Sequence, residues 1–201
     1  MVGGRLSGAG GWIAIRGGSH GRGGFTLLEL VIALAVIGII SAMAIPAFSS
    51  IYGECCVKAV AWEIVDMVKE AKQHALVDDK YFALGFRTDS GTISLISDRG
   101  PDGGWNTGDD RVVRSLRLSD KGGGLRFGYG SYGPIPPDYA PAPDGVSFQS
   151  NNTLVCNPEL AGNAGTVYIS TASGAAVAIT VNSRDFKCTL RRWDGTRWVK
   201  M

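Results

Sequence analysis

Two patterns of apolar residues divide the chain. Residues 25–45, FTLLELVIALAVIGIISAMAI, make an apolar run of 21 residues in which Glu29 is the only charge. At 1.5 Å per helical residue the run is about 30 Å long, one hydrocarbon core, which predicts a single membrane-spanning helix. Beyond Pro46 the pattern changes. Val57, Val60, Ala61, Ile64, Val65, Val68, Ala71, Ala75 and Leu76 recur at spacings of three and four, with Glu54, Lys58, Glu63, Asp66, Lys69, Glu70 and Lys72 among them. That spacing belongs to an amphipathic helix with one buried face, ending near Asp78. Trp62 is expected to pack against the protein rather than bind a ligand. Pro46, which lacks an N–H and clashes with the preceding turn, is expected to bend the helix or open its hydrogen bonding locally.

From Asp79 onward the period shortens to two or to short apolar runs. Strands are expected at 80–87, 92–98, 111–118, 125–129, 145–149, 166–170, 175–181, 186–193 and 196–200. The Asp194-Gly195 pair suits a tight turn between the last two. The stretch 128–145, rich in proline and tyrosine, cannot sustain ladder pairing and reads as an exposed loop. A long helix followed only by strands predicts an α+β fold, the helix packed on an antiparallel sheet with room for a second sheet behind it. The expected segments are a leader at 1–24, a membrane helix at 25–46, an amphipathic stem at 47–79 and a β-rich head at 80–201.

Composition sharpens the first segment. Residues 1–24 hold ten of the 29 glycines and Arg5, Arg16 and Arg22 without an acid, and they show no helical or strand period. This marks a targeting segment. Without it 17 basic and 18 acidic side chains remain, so overall charge gives no case for general nucleic-acid binding. Arginines ahead of the apolar run and no cations directly after it place the N-terminus in the cytoplasm and the bulk of the chain outside. The rival is a secretory signal cut at Ala42-Met43-Ala44, releasing a soluble protein. Against it, the apolar core before that site exceeds the usual ~7–15 residues, and Glu29 would weaken its insertion.

A carboxylate at the centre of a membrane span costs about 2.5–3.5 kcal/mol, so Glu29 needs a compensating interaction. Gly24, Phe25, Thr26, Leu27, Leu28 and Glu29 resemble the cleavage motif of type IV pilins and type II secretion pseudopilins, and Gly38 and Pro46 fall where many members have glycine and proline. The resemblance implies that a prepilin peptidase cuts after Gly24 and methylates the new N-terminal Phe25. It further implies a bacterial inner-membrane protein with a single span and a periplasmic head. Such a subunit joins other pilins or pseudopilins through its N-terminal helix, on an assembly platform driven by a separate ATPase. In that frame Glu29 meets the free α-amino cation of an adjoining subunit, and pairing offsets the desolvation. The plainer alternative is a helix-start acid favoured by the macrodipole. The order of elements, with the closing FKCTLRRWDGTRWVK, is similar to H-type minor pseudopilins and FimT-like minor pilins, which implies a minor, non-enzymatic structural subunit of a pseudopilus or pilus.

Three further groups carry candidate chemistry. Asp98, Asp102, Asn106, Asp109 and Asp110 lie amid glycines and supply the hard oxygens that calcium takes, although the spacing lacks the EF-hand's closing glutamate and suits any solvated turn. No other cofactor is expected. Cys156 and Cys188 flank 31 residues of strand-like sequence and are the favoured disulfide, with buried free thiols as the alternative, while Cys55 and Cys56 are expected to stay free. Arg191, Arg192, Arg197 and Lys200, interleaved with Trp193 and Trp198, offer a DNA-contacting surface of the kind FimT-like minor pilins would use, against a solvated strand face with inward tryptophans. Catalysis finds little support: His74 is the one histidine after the leader, and there is no CxxC or phosphate loop.

Overall fold

Helix α1 (Leu27–Asp78, 52 residues) joins the two apolar patterns in one helix assignment. The structure, a computed structural model, describes residues 24–136, 143–159 and 162–201. The leader at 1–23 and the Pro46 side chain, on which the expected bend rests, lie outside the described residues. The chain divides into two units, Met1–Ser41 and Ala42–Met201, so the stem belongs with the head. In the first unit the side chains of α1 are exposed throughout. Among the described residues α1 is the one helix long and apolar enough to cross a membrane.

In the second unit nine antiparallel strands follow among the described residues: β1 (Phe82–Arg87), β2 (Thr92–Asp98), β3 (Arg111–Arg117), β4 (Arg126–Phe127), β5 (Thr153–Cys156), β6 (Gly165–Ser170), β7 (Ala176–Val181), β8 (Cys188–Trp193) and β9 (Trp198–Lys200). They form two sheets, ordered β3-β2-β1-β5 and β4-β6-β7-β8-β9. This is the expected α+β arrangement with the second sheet present. One expected strand is absent. Within 145–149 only Val146 pairs, in an isolated bridge to Val167. The backbone then turns through three left-handed residues, Ser150 at φ 56°, Asn151 at φ 60° and Asn152 at φ 52°, and β5 begins immediately after them. The strand therefore sits some eight residues later than its apolar pattern suggested.

The face of α1 formed by Val57, Val60, Ala61, Ile64, Val65, Val68, Ala71 and Ala75 is buried, joined by Met67. It shares one core with Leu84, Phe86, Ile93 and Leu95 of the first sheet and Val167, Ile169, Val177, Ile179 and Leu190 of the second. Each fully buried Val, Ile or Met contributes about 1.5–3 kcal/mol relative to exposure. Two expectations fail at the margin of this stripe. Leu76 is 48% exposed and Trp62 is 52% exposed, because each lies round the helix from the buried face.

Polar groups flank the buried stripe and set its register. Arg114 on β3 bridges Glu63 and Glu70 on α1, each at 3.1 Å, and Lys121 reaches Glu63 at 2.8 Å. On the other side Lys72 Nζ donates to the Asp185 carbonyl at 3.1 Å. The helix ends where Asp79 adopts φ 50° and the Lys80 N–H bonds to the Ala75 carbonyl at 3.3 Å, closing the last turn.

Truncating the centre of the buried stripe, Ile64→Ala, is expected to destabilise the head by about 2–5 kcal/mol, whereas Trp62→Ala should stay within about 0.5 kcal/mol. Denaturant unfolding of the two variants in the same detergent separates them; equal midpoints would contradict the assigned face.

Candidate functional site

The junction of leader and helix is built by Thr26. Its Oγ1 accepts the Glu29 N–H at 3.2 Å and its carbonyl accepts the Leu30 N–H at 3.1 Å. Thr26 is thus the N-cap and Glu29 the third helical residue, the T-x-x-E arrangement that satisfies otherwise orphaned amides. The cap was legible in the sequence, and Thr26 is the residue that reading for charge overlooked. Gly24 lies just outside the helix with open space where a Cβ would stand. Phe25 is exposed. The Glu29 carboxylate makes no ion pair among the described residues.

The aspartate-rich segment folds on itself. Asp109 accepts hydrogen bonds from the Thr107 hydroxyl at 2.6 Å and the Asp102 N–H at 3.2 Å, which hold its carboxyl below the usual range. Asp110 accepts the Thr107 N–H at 2.8 Å and Asp102 the Gly104 N–H at 2.7 Å. Asn106 is buried: its Nδ2 donates to the carbonyls of Phe86 and Asn151, and its Oδ1 accepts from Arg87 Nε at 3.3 Å. A Cβ added at Gly85 would come within 2.5 Å of that Oδ1, which explains a glycine inside β1. Among the described residues no three His, Cys, Asp or Glu side chains converge as a metal-binding group. Of the expected calcium set of Asp98, Asp102, Asn106 and Asp109, Asp102 and Asp109 turn oxygens to donors of their own loop and Asn106 Oδ1 faces Arg87.

The basic C-terminal pair of strands does not form one cationic face. Arg191 pairs across to Lys200, while Arg192 pairs with Val199, and successive residues of a strand point to opposite faces. Arg191 donates to the Thr180 hydroxyl at 3.3 Å, and Arg197 sits in the turn 3.7 Å from Asp194. The tryptophans pack rather than stand free. Trp193 stacks on Tyr132 at 4.9 Å, and Trp198 meets Trp193 and Tyr168 edge-on while its Nε1 donates to the Gly133 carbonyl at 3.1 Å. This is the inward packing that the sequence left as the alternative to DNA contact.

Cys55 and Cys56 are free thiols in this structure, and so, in place of the expected disulfide, are Cys156 on β5 and Cys188 on β8, which belong to different sheets. Each sulfur is seated in apolar packing instead, and Cys188 Sγ lies 3.7 Å from the Phe186 carbonyl. Burial, with the neighbouring Cys188 adding to it and Lys72 opposing, pushes the Cys156 thiol up to about 12. Burial pushes Cys188 up to about 11, against Lys69 and Lys72. Cys55 is exposed on α1. His74 stacks on Phe82 at 5.2 Å and lies 3.6 Å from Asp78.

The family model of the prokaryotic N-terminal methylation motif matches residues 19–45. The chain carries this methylation motif. The match brackets Gly24, Phe25 and Glu29 and bears out the resemblance to type IV pilins and pseudopilins in the segment where it was drawn. Among curated proteins none matches the chain. Two solved structures of the minor pseudopilin EpsH from the type II secretion system of Vibrio cholerae are similar. One has 15% identity and a TM-score of 0.43, covering 68% of this chain and 95% of that one. The other has 14% identity and a TM-score of 0.45, covering 74% and 98%.

The two buried thiols of the motif-bearing chain give a pH dependence of defined sign. Their folded values lie above the ordinary 9.0, so between pH 9 and about 11 to 12 the native state retains protons that the unfolded chain releases. Stability is expected to be unaffected by these groups below pH 9 and to fall above it, by at most about 1.4 kcal/mol per thiol per pH unit. Unfolding midpoints from pH 8 to 11 measure this, and a Cys156→Val, Cys188→Val variant should lose most of the slope.

Proposed function

We propose that the chain is a minor pilin or pseudopilin, a structural subunit cut after Gly24 by a prepilin peptidase, N-methylated at Phe25 and held in the bacterial inner membrane by α1 with its head in the periplasm. The observation that carries this reading is the methylation motif over residues 19–45 at the start of an exposed apolar helix. From the membrane it enters a type II secretion pseudopilus or a type IV pilus, joining other pilins through α1 on an assembly platform. The role is mechanical and calls for no catalytic group: work comes from a separate ATPase, and the head contributes shape and surface. The unpaired Glu29 carboxylate supports the pairing of this acid with the new N-terminal amine of an adjoining subunit, since an isolated charge in hydrocarbon is disfavoured.

Material purified from membranes should begin at Phe25 with a monomethylated amine by intact mass, and Gly24→Val should retain the leader. Glu29→Ala should leave processing largely intact and block incorporation into sheared filaments, read by immunoblot; normal incorporation would remove the role assigned to Glu29.

A further inference from the structure

Of the four edges of the two sheets, three are short or already occupied. β4 is two residues long and β9 three. On β5 the Asn163 carboxamide stands in for a neighbouring strand, its Oδ1 accepting the Val155 N–H at 2.8 Å and its Nδ2 donating to the Thr153 carbonyl at 2.6 Å. β3 differs. It runs for seven residues, pairs with β2 alone, and exposes Arg111, Val112, Val113, Ser115 and Arg117. An edge of this length is a template for a further strand unless something covers it or repels what approaches.

The ladder shows which backbone groups are available. The Leu118 N–H donates to the Gly91 carbonyl at 2.9 Å, while Leu116 lies opposite Ile93 and Arg114 opposite Leu95. Inward and outward groups alternate along an antiparallel strand, so Leu116 and Arg114 bond to β2, and the N–H and carbonyl of Ser115 and Arg117 point away from the sheet. Before Arg114 the register shifts, and Val113 has no cross-strand partner. Val113 instead lines, with Tyr81 and Trp105, a groove of about 510 Å³ at the start of the strand.

Charge restricts the occupant. Lys80, Arg99 and Arg111 line the groove, with Asp78 and Asp98 against them, and Arg117 stands at the far end of β3. Asp78 lies 3.6 Å from His74. Among the described residues no carboxylate forms an ion pair with any of these four cations. Like charges directly opposite on paired strands repel. A second copy docked β3 to β3 would set Arg111, Arg114 and Arg117 against the same arginines, and its short edges carry Arg126 on β4 and Lys200 on β9. The leader has Arg5, Arg16 and Arg22 and no acid.

We propose that β3 receives an extended, acidic segment of a different chain as a fifth strand of the four-stranded first sheet. Its backbone bonds to Ser115 and Arg117, and its carboxylates meet Arg111, Arg117 and the cations of the groove. Main-chain bonds supply affinity in such strand addition, and side chains supply specificity. The arginines thus turn away basic edges, a second copy's included, and accept an acidic one. The inference concerns the head and does not depend on the fate of α1.

Fluorescence anisotropy with the full chain in detergent tests it, using two labelled synthetic peptides, one alternating valine with glutamate and one alternating valine with lysine. The glutamate peptide is expected to bind roughly ten-fold more tightly and to slow amide exchange at Ser115 and Arg117. Ser115→Pro removes an outward N–H at an edge position that tolerates proline, and should weaken binding about ten-fold with the unfolding midpoint kept. Arg111→Glu combined with Arg117→Glu should turn the preference toward the lysine peptide, which decides the matter should the proline variant fail to fold. Arg197→Gln, in the turn before β9, should change nothing. Absence of binding, equal affinity for the two peptides, or full binding by a folded Ser115→Pro variant would overturn the proposal. So would sedimentation showing a dimer that Ser115→Pro dissolves, since a second copy would then occupy the edge.

Discussion

The head depends on one contact, the burial of a single narrow stripe of α1 by two sheets at once. The strands fall into two separate ladders, β3-β2-β1-β5 and β4-β6-β7-β8-β9, and the core they share is centred on the helix residues from Val57 to Ala75. Alanines at 61, 71 and 75 keep the stripe thin enough for sheet side chains to reach it from both sides. The polar flanks then choose among helix registers. Sliding or turning α1 by one residue would take Glu63 and Glu70 away from Arg114 and would also move Val60 or Ile64 toward water. Partly exposed pairs of this kind are each worth about 1 kcal/mol or less, so they select the register that the apolar stripe stabilises.

The same helix changes environment at Gly53. Before it, the described side chains of the helix are uncovered; at Gly53 a Cβ would come within 2.2 Å of Ser173 Oγ, and from Val57 the buried stripe begins. Uncovered leucine, isoleucine and valine over so many turns exceed what a solvated surface tolerates, so this segment calls for a cover that the described residues do not supply. A bilayer and a bundle of like helices are both apolar enough, and a subunit that passes from one to the other exchanges similar surroundings at little net cost in apolar burial. What differs between the two is the fate of charge, which is why a lone acid in this segment has consequences that its neighbours lack.

Much of this was legible from the residues in order. The spacing from Val57 to Ala75 fixed the buried face, and the alternation in 82–87, 92–98 and 176–181 located strands that depend on local pattern. The errors have physical causes. Residues 145–149 have strand-like composition, yet Gly145 at φ 81° abuts the Gly128 backbone and leaves no length for a ladder. β5 escaped notice because TLVC is short and follows three residues in left-handed backbone. For Asp102, Asp109 and Asp110, side-chain type suggested a cation, whereas their partners are amides of the same loop, which composition cannot reveal. That Arg191 and Arg192 do not share a face was readable from their order, since adjacent residues of one strand point to opposite sides whatever their charge.

The cap at the helix start bears on the meaning of Glu29. Thr26 satisfies the Glu29 amide and the helix dipole favours an acid in the first turn, typically by about 0.3–1 kcal/mol. That falls short of the roughly 2.5–3.5 kcal/mol a carboxylate costs at the centre of a span, and although Glu29 lies nearer the end, a dipole term of this size at best reduces the penalty. The dipole acts equally in a solitary subunit and in an assembly, so it cannot favour one over the other. A counter-ion can. A cation supplied by an adjoining subunit is present only on association, and in surroundings of low dielectric its attraction for the acid exceeds what the same pair would gain in water. The cap and the dipole therefore account for how the acid is tolerated, and the proposed pairing would account for why assembly gains from it.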